Sequence, residues 1–290
     1  MIKKIVLLSF SPTGNTKKCL STLAEGIAEK LNLISAEESD ITSASKREND
    51  YEFDASDLVI IGFPTYAGRL PNKIMPYLKE HVHANGALGC ALVTYGNRAY
   101  DNSLKELASI MCDNGFKMIN AMAIPCEHAF AQSLATGRPT EADLEAIKKY
   151  GRKIGERITL QSSDSLSTNV MSLMPDENFC IDISKIPGDE PTEMKYYVPK
   201  KEDGTPANFL KAMPKTDSDK CGNCGECVKA CPMNCFEESI TEPKGVCIKC
   251  QACIKACKNG AKYFDDEEFL SHKKYLEDRF TENKKIEMYI

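Results

Sequence analysis

Through the first 160 residues, short apolar runs alternate with stretches whose apolar residues return every three or four positions. The runs predict buried strands and the three- and four-residue steps predict helices. Strands are expected over residues 5–10, 31–36, 57–64, 87–96 and 116–124. Helices are expected over residues 16–31, 71–82, 103–112 and 140–158. In the first helix Leu20, Leu23, Ile27 and Leu31 share a face. Pro76 is expected to kink the second, and Thr140 with Asp143 marks the start of the last. Regular alternation of strand and helix predicts an α/β fold, a doubly wound five-stranded parallel sheet with helices on both faces. The run Val59-Ile60-Ile61 suits a strand covered on both sides.

Ligands of such sheets gather at the carboxyl ends of the strands. Three distinctive loops leave those ends. The first, "SFSPTGNTK", sets Ser11, Thr13 and Thr16 around Gly14 and Asn15. It has neither the P-loop spacing nor the glycines of a dinucleotide loop. Hydroxyls and free amides at a helix N-terminus can wrap a phosphate dianion. The same residues also make an ordinary capped helix start. The second and third loops, "PTYAGRLP" and "TYGNRAY", each put a tyrosine beside small residues just past a strand. A flat ligand could stack between them, or they are two surface turns.

Cysteine then changes the picture. "CGNCGECVKACP" carries Cys221, Cys224, Cys227 and Cys231, and "CIKCQACIKACK" carries Cys247, Cys250, Cys253 and Cys257, each 26 residues on. Disulfides belong to oxidising compartments. The six apolar or small residues before Ser11-Pro12 are too short for the core of a secretory leader, so a cytoplasmic, reducing setting is expected. Zinc usually takes two CxxC-type pairs set apart by a loop. C-x2-C-x2-C-x3-C-P is instead the bacterial iron–sulfur pattern. Its repetition reads as a duplicated unit.

Residues 216–264 resemble the two-cluster bacterial ferredoxins, a small α+β domain, with Lys258 where the second run would often have proline. The resemblance implies two 4Fe–4S clusters with crossed ligands. Cys221, Cys224, Cys227 and Cys257 would hold one, and Cys247, Cys250, Cys253 and Cys231 the other. Cys235 is spare. Residues 1–160 resemble the flavodoxins, which implies bound flavin mononucleotide (FMN). By that resemblance Ser11, Thr13, Gly14, Asn15 and Thr16 take the phosphate. Thr65, Tyr66, Ala67 and Gly68 line one side of the ring, and Tyr95, Gly96, Asn97 and Tyr100 the other. The whole chain is similar to the flavodoxin–ferredoxin fusion proteins of anaerobic bacteria and archaea.

Residues 161–215 fit neither half. Six of the fourteen prolines fall there, "QSSDSLST" reads as a polar linker, and "NFCIDISKI" followed by "MKYYV" predicts a small hairpin. As a free coil this 55-residue connector would span about 40 Å. Such a tether holds two domains together without a large permanent interface. Residues 265–290 predict a charged helical tail that serves as a cover, with eight acidic and five basic side chains. The chain's net charge is −5 before clusters are counted. Nothing in that balance suggests the basic face nucleic acid needs, and it suits a redox protein with a basic patch as donor or acceptor. No apolar run is long enough for membrane insertion. His81 and His83, two apart, share no helix face. Cys126 and His128 in "PCEHAF" lack a visible third group for a nucleophile–base system. Two functions stand open. One is electron transfer between clusters and flavin, from a low-potential donor to a redox partner. The other is a flavin-dependent reductase of a small molecule, fed through the clusters. A closed apolar chamber over the ring would favour the second.

Overall fold

The computed structural model describes residues 2–34, 36–167 and 179–290, without the side chains of 162–167. Its centre is a sheet of six strands. β1 (Lys4–Ser9), β2 (Ala36–Asp40), β4 (Asp57–Pro64), β6 (Leu88–Tyr95) and β7 (Lys117–Pro125) run parallel in the order β2-β1-β4-β6-β7. This is the flavodoxin-like doubly wound order. Strands β4, β6 and β7 are buried along nearly their whole length, because helices cover both faces. α1 (Asn15–Leu31) and α4 (Glu141–Ser167) share one face, packing with Ile5, Leu58, Leu92 and Ile124. α3 (Ser103–Asp113) packs on the other, against Val59, Ile61 and Val93. A minor parallel pair, β3 (Tyr51–Asp54) and β5 (Val82–Asn85), flanks that second face beside the short helix α2 (Met75–His81).

α1 and α4 meet backbone to backbone. A Cβ added at Gly26 would lie 2.1 Å from the Lys148 carbonyl oxygen, and one at Gly151 would lie 2.3 Å from that of Leu23. The start of α4 carries a reciprocal cap. The Asp143 amide donates to the Thr140 hydroxyl at 3.2 Å and the Thr140 amide to the Asp143 carboxylate at 2.8 Å.

Several expectations are corrected. The second strand lies at Ala36–Asp40 rather than at 31–36, because α1 runs to Leu31 and ends on left-handed Asn32. Pro76 sits in the first turn of α2, where its missing N–H breaks no helical bond, so it starts that helix rather than kinking it. α4 runs on through Ser167, so the stretch taken as a polar linker is helical up to there.

The hairpin does not form among the described residues. Ile183–Lys185 is a single 3-10 turn, and "MKYYV" makes no strand. Here the chain spends its hydrogen bonds on the sheet domain. Met118 accepts from the Ile181 amide at 2.8 Å, the Asn102 side-chain oxygen from the Asp189 amide at 2.7 Å, and the Ala67 carbonyl from the Tyr197 amide at 2.8 Å. Arg69 donates to the Met194 carbonyl at 2.8 Å.

The cysteine-rich segment is closed by a two-stranded antiparallel ladder, β8 (Lys215–Thr216) with β9 (Lys262–Tyr263), around helices α5 (Glu226–Lys229) and α6 (Ala252–Ala256). The 26-residue repeat is written in the backbone. Positive φ occurs at Asn223 and Lys249, at Gly225 and Gln251, and at Asn234 and Gly260. The tail begins as helix α7 (Glu267–Arg279), capped by the Asp266 carboxylate. It ends as a strand, β10 (Glu287–Tyr289), antiparallel to β7 on the open edge of the sheet. The expected five-stranded sheet thus gains a sixth strand. An exposed edge is a standing liability that such a strand covers. Among the described residues no helix is long and apolar enough to cross a membrane.

Candidate functional site

The loops at the carboxyl ends of β1, β4, β6 and β7 surround one cavity of about 230 Å³. Thr13, Asn15 and Thr16 line it from the first loop, Thr65, Tyr66, Ala67 and Gly68 from the second, and Tyr95 and Gly96 from the third. Gly14 takes a left-handed φ of 91° at the N-cap of α1, a conformation glycine adopts without cost. The Ser11 hydroxyl accepts from the Lys17 amide at 3.0 Å, and the hydroxyls of Thr16 and Thr94 pair at 2.7 Å beneath the loop. In the second loop Tyr66 and Arg69 exchange backbone bonds of 2.8 and 3.2 Å around left-handed Ala67 and Gly68. A Cβ at Gly68 would stand 2.2 Å from an Asp101 carboxylate oxygen, so the two ring loops touch only because glycine is there. Burial, and then the nearby thiols of Cys250 and Cys247, push the Tyr66 hydroxyl pKa well up.

Four of the expected residues lie off the cavity lining. Ser11 and Gly14 shape the first loop from behind. Asn97 and Tyr100 serve the tail instead of a ring. The buried Asn97 amide donates to the carbonyls of Phe280 and Glu282 at 2.7 and 2.9 Å. The Tyr100 hydroxyl donates to Glu287 at 2.7 Å and lies 3.1 Å from the Tyr289 hydroxyl. The sequence around the third loop could not reveal this, because the partners are more than 180 residues away.

The roof of the cavity comes from elsewhere in the chain. The connector supplies Tyr197, Pro199 and Phe209, the second cysteine run Ile248, Lys249 and Cys250, and the tail helix His272 and Leu276. Phe209 stacks on His272 with ring centres 5.5 Å apart, and Arg98 lies 3.9 Å over the Tyr197 ring. His128 enters from the loop after β7. Its Nδ1 accepts the amides of Ala131 at 3.2 Å and Phe130 at 3.4 Å, which leaves the proton on Nε2. Burial, with His272 and Arg98 adding positive charge, holds its pKa down at about 3. Cys126 is no partner for it. Its thiol shares a hydrogen bond with Cys19, and burial adds to this in driving the pKa well above the usual thiol value. Among the described residues the Tyr197 hydroxyl is buried without a partner. An unspent donor on a cavity wall, above a hydroxyl-rich helix N-terminus, fits a flat ligand with a polar edge and an anionic end. Arg98, His128, Tyr197, Phe209 and His272 could not be read from the sequence. Three of them stand in stretches the sequence marked for other reasons, Arg98 in "TYGNRAY", His128 in "PCEHAF" and Tyr197 in "MKYYV".

None of the eight repeat cysteines is paired in a disulfide. Cys231 packs with Cys247 and Cys253 of the second run as well as with Cys227 of its own. Backbone amides point at the sulfurs. Cys235 N–H donates to Cys231 at 3.3 Å, Lys249 N–H to Cys247 at 3.4 Å and Ala261 N–H to Cys257 at 3.2 Å. A hydrogen bond from Cys235, aided by such amides, lowers the thiol pKa of Cys231 to about 6 and of Cys247 to about 7. Cys257 lies on a loop tied to the first run, with the Asn259 side chain donating to the Lys220 carbonyl at 3.1 Å. Among the described residues no three metal-binding side chains close on a single ion. In a cluster each iron takes a single thiolate, so the ligands spread around a cube, and this donor set fits such a group.

Two families described as 4Fe-4S binding domains match this segment, one over residues 214–237 and the other over residues 244–260. No curated protein matches the chain. Among solved structures, the chain is similar to a flavodoxin from the domain Archaea, with 18% identity over 54% of this chain and 99% of that one, at a TM-score of 0.40. It is also similar to rubredoxin oxygen:oxidoreductase from the anaerobe Desulfovibrio gigas, with 21% identity over 54% of this chain and 36% of that one, at a TM-score of 0.37. A diflavin flavoprotein A3 from Nostoc sp. is 15% identical over 57% of this chain and 99% of that one, at a TM-score of 0.37. By the strand order of its sheet and the matched cysteine runs, the chain is a fusion of a flavodoxin-like domain with a ferredoxin-type 4Fe–4S segment, an electron-transfer architecture.

Proposed function

We propose that the chain transfers electrons between two 4Fe–4S clusters and one bound FMN, from a low-potential donor to a redox protein partner, in a reducing, cytoplasmic setting. The observation that carries this reading is a shared wall. Cys250 of the second run lines the same cavity as Thr13, Thr16 and Tyr66. Clusters supply single electrons and a flavin accepts one or two, so the pair converts between the two kinds of chemistry.

The residue roles follow. Cys221, Cys224, Cys227 and Cys257 hold one cluster, and Cys247, Cys250, Cys253 and Cys231 the other. Thr13, Asn15 and Thr16 bind the phosphate, with Ser11 and Gly14 setting the loop's shape. Thr65, Tyr66, Ala67 and Gly68 flank one side of the ring, Tyr95 and Gly96 the other. Asn97 and Tyr100 pin the tail. Residues 1–160 and their helical extension form the flavin domain and 216–264 the cluster domain. Tyr197, Pro199 and Phe209 of the connector and His272 and Leu276 of the tail cover the cavity between them.

Anaerobic purification with iron, sulfide and flavin counts tests the reading. About eight irons and one FMN per chain are expected. Zinc without acid-labile sulfide would overturn the clusters, and flavin adenine dinucleotide as the native cofactor would overturn the phosphate site. The reductase reading has one observation in its favour, the aromatic roof with the unspent Tyr197 hydroxyl. Steady turnover of a small-molecule oxidant with saturation, lost in Tyr197→Phe, would favour it over the carrier.

A further inference from the structure

We infer that the cluster segment forms part of the flavin phosphate site through Lys255, and that Arg47 of the flavin domain ties the loop after Cys231 to the same site, so that cluster occupancy and flavin retention support each other. The inference rests on reading the cavity as an FMN site.

Two hydrogen-bonded bridges run from cluster-ligating segments to the hydroxyl-rich loop. Lys255, two residues after Cys253 on α6, donates from Nζ to the Thr13 carbonyl at 2.8 Å. An ammonium has three donors, and this bond spends one of them. Lys17, at the foot of the same loop, directs its charge to Glu38 at 2.7 Å. On the other side Arg47 donates to the carbonyl of Pro232, the residue after Cys231. The same guanidinium donates to the Thr42 carbonyl at 2.7 Å, and the Thr42 hydroxyl accepts from the Ser11 amide at 2.8 Å. Cys231 and Cys253 belong to the same crossed set, so both bridges lead from one cluster to one loop.

α6 has five residues and cannot hold its place by helix propensity. Metal ligation fixes such segments, and its binding energy is folding energy. Loading the cluster therefore sets Lys255 over the phosphate loop, and linkage requires that bound phosphate favour the loaded segment in return.

The test is a fluorescence titration of FMN and of riboflavin into the flavin-stripped full chain, with clusters loaded or removed by chelation. In the loaded chain Lys255→Met should weaken FMN about tenfold, the loss of one charge-assisted bond at an exposed lysine. Riboflavin, which lacks the phosphate, should change less than twofold, and Lys255→Arg should keep most of the FMN affinity. Chelation should weaken FMN in the native chain by a similar factor and in Lys255→Met by clearly less. Equal loss of FMN and riboflavin in Lys255→Met, no loss of either, or an FMN affinity indifferent to chelation would overturn the inference. A native chain that binds neither flavin would overturn the FMN reading and the inference with it.

Discussion

Cys231 stands among sulfurs that lie 16 to 22 residues further along the chain, and this crossing makes the two cysteine runs distinguishable by mutation. Cys231→Ser should damage the same cluster as Cys250→Ser, and Cys257→Ser the other one. Electron paramagnetic resonance of the reduced protein reads this directly, and a match between Cys231→Ser and Cys224→Ser would refute the crossed set. His128 gives a second prediction at this level. It is half-buried and neutral, with a pKa near 3, against about 6.5 for an exposed imidazole. Between those values the unfolded chain binds the extra proton and the folded chain does not. Stability contributed by the neutral ring is therefore fully present above pH 6.5 and is lost as pH falls toward 3, by about 1.4 kcal/mol per pH unit at the steepest. His128→Asn keeps an acceptor for the Ala131 amide but carries no titrating ring. Its acid-unfolding curve should be flatter over that window, as followed by circular dichroism. An unchanged slope would mean that another group governs the acid limb.

The contact between α1 and α4 depends on the absence of two side chains. Gly151→Ala would press a Cβ against the Leu23 carbonyl, and overpacking of this kind costs about 1–3 kcal/mol. Thermal unfolding should show the loss, and an unchanged midpoint would mean that the two helices can move apart without cost. Most elements of this domain were legible in the sequence because each is specified locally. The apolar run of β4 and the helical face of Leu20, Leu23 and Ile27 are buried as their spacing requires. The two cysteine runs were legible for the same reason, since the ligand chemistry fixes their spacing. The missing hairpin and the extra strand were settled by distant partners. "MKYYV" has the composition of a strand, but its amides and rings found the Ala67 carbonyl, Arg69 and Arg98 instead of a second strand. β10 has only three residues, too few for any periodicity, and exists because the edge of β7 was open to it.

A flexible tether and a packed assembly make different demands on the same two modules. The connector was expected to act as a tether and the tail as a cover, but Tyr197, Pro199 and Phe209 of the connector join His272 and Leu276 of the tail across the cavity, and the cluster segment touches the hydroxyl-rich loop directly through Lys255. The tail is held at several points along its length, by Asn97 at the Phe280 and Glu282 carbonyls, by Arg138 at Lys284 and by Tyr100 at Glu287. A contact of this kind makes transfer between the cofactors a property of one folded chain rather than of an encounter. Stopped-flow mixing with a low-potential donor, following the cluster and flavin absorbances separately, tests this. The flavin band should trail the cluster band at a rate that stays constant across a tenfold range of protein concentration. Cys250→Ala removes the ligand that borders the cavity, so the fast phase of the flavin band should disappear while FMN still binds. If flavin in that variant is reduced as fast as in the native chain, electrons reach it without the clusters. The roofed chamber would then be the better guide to what the protein does, with the donor or substrate entering beneath Tyr197 and His272.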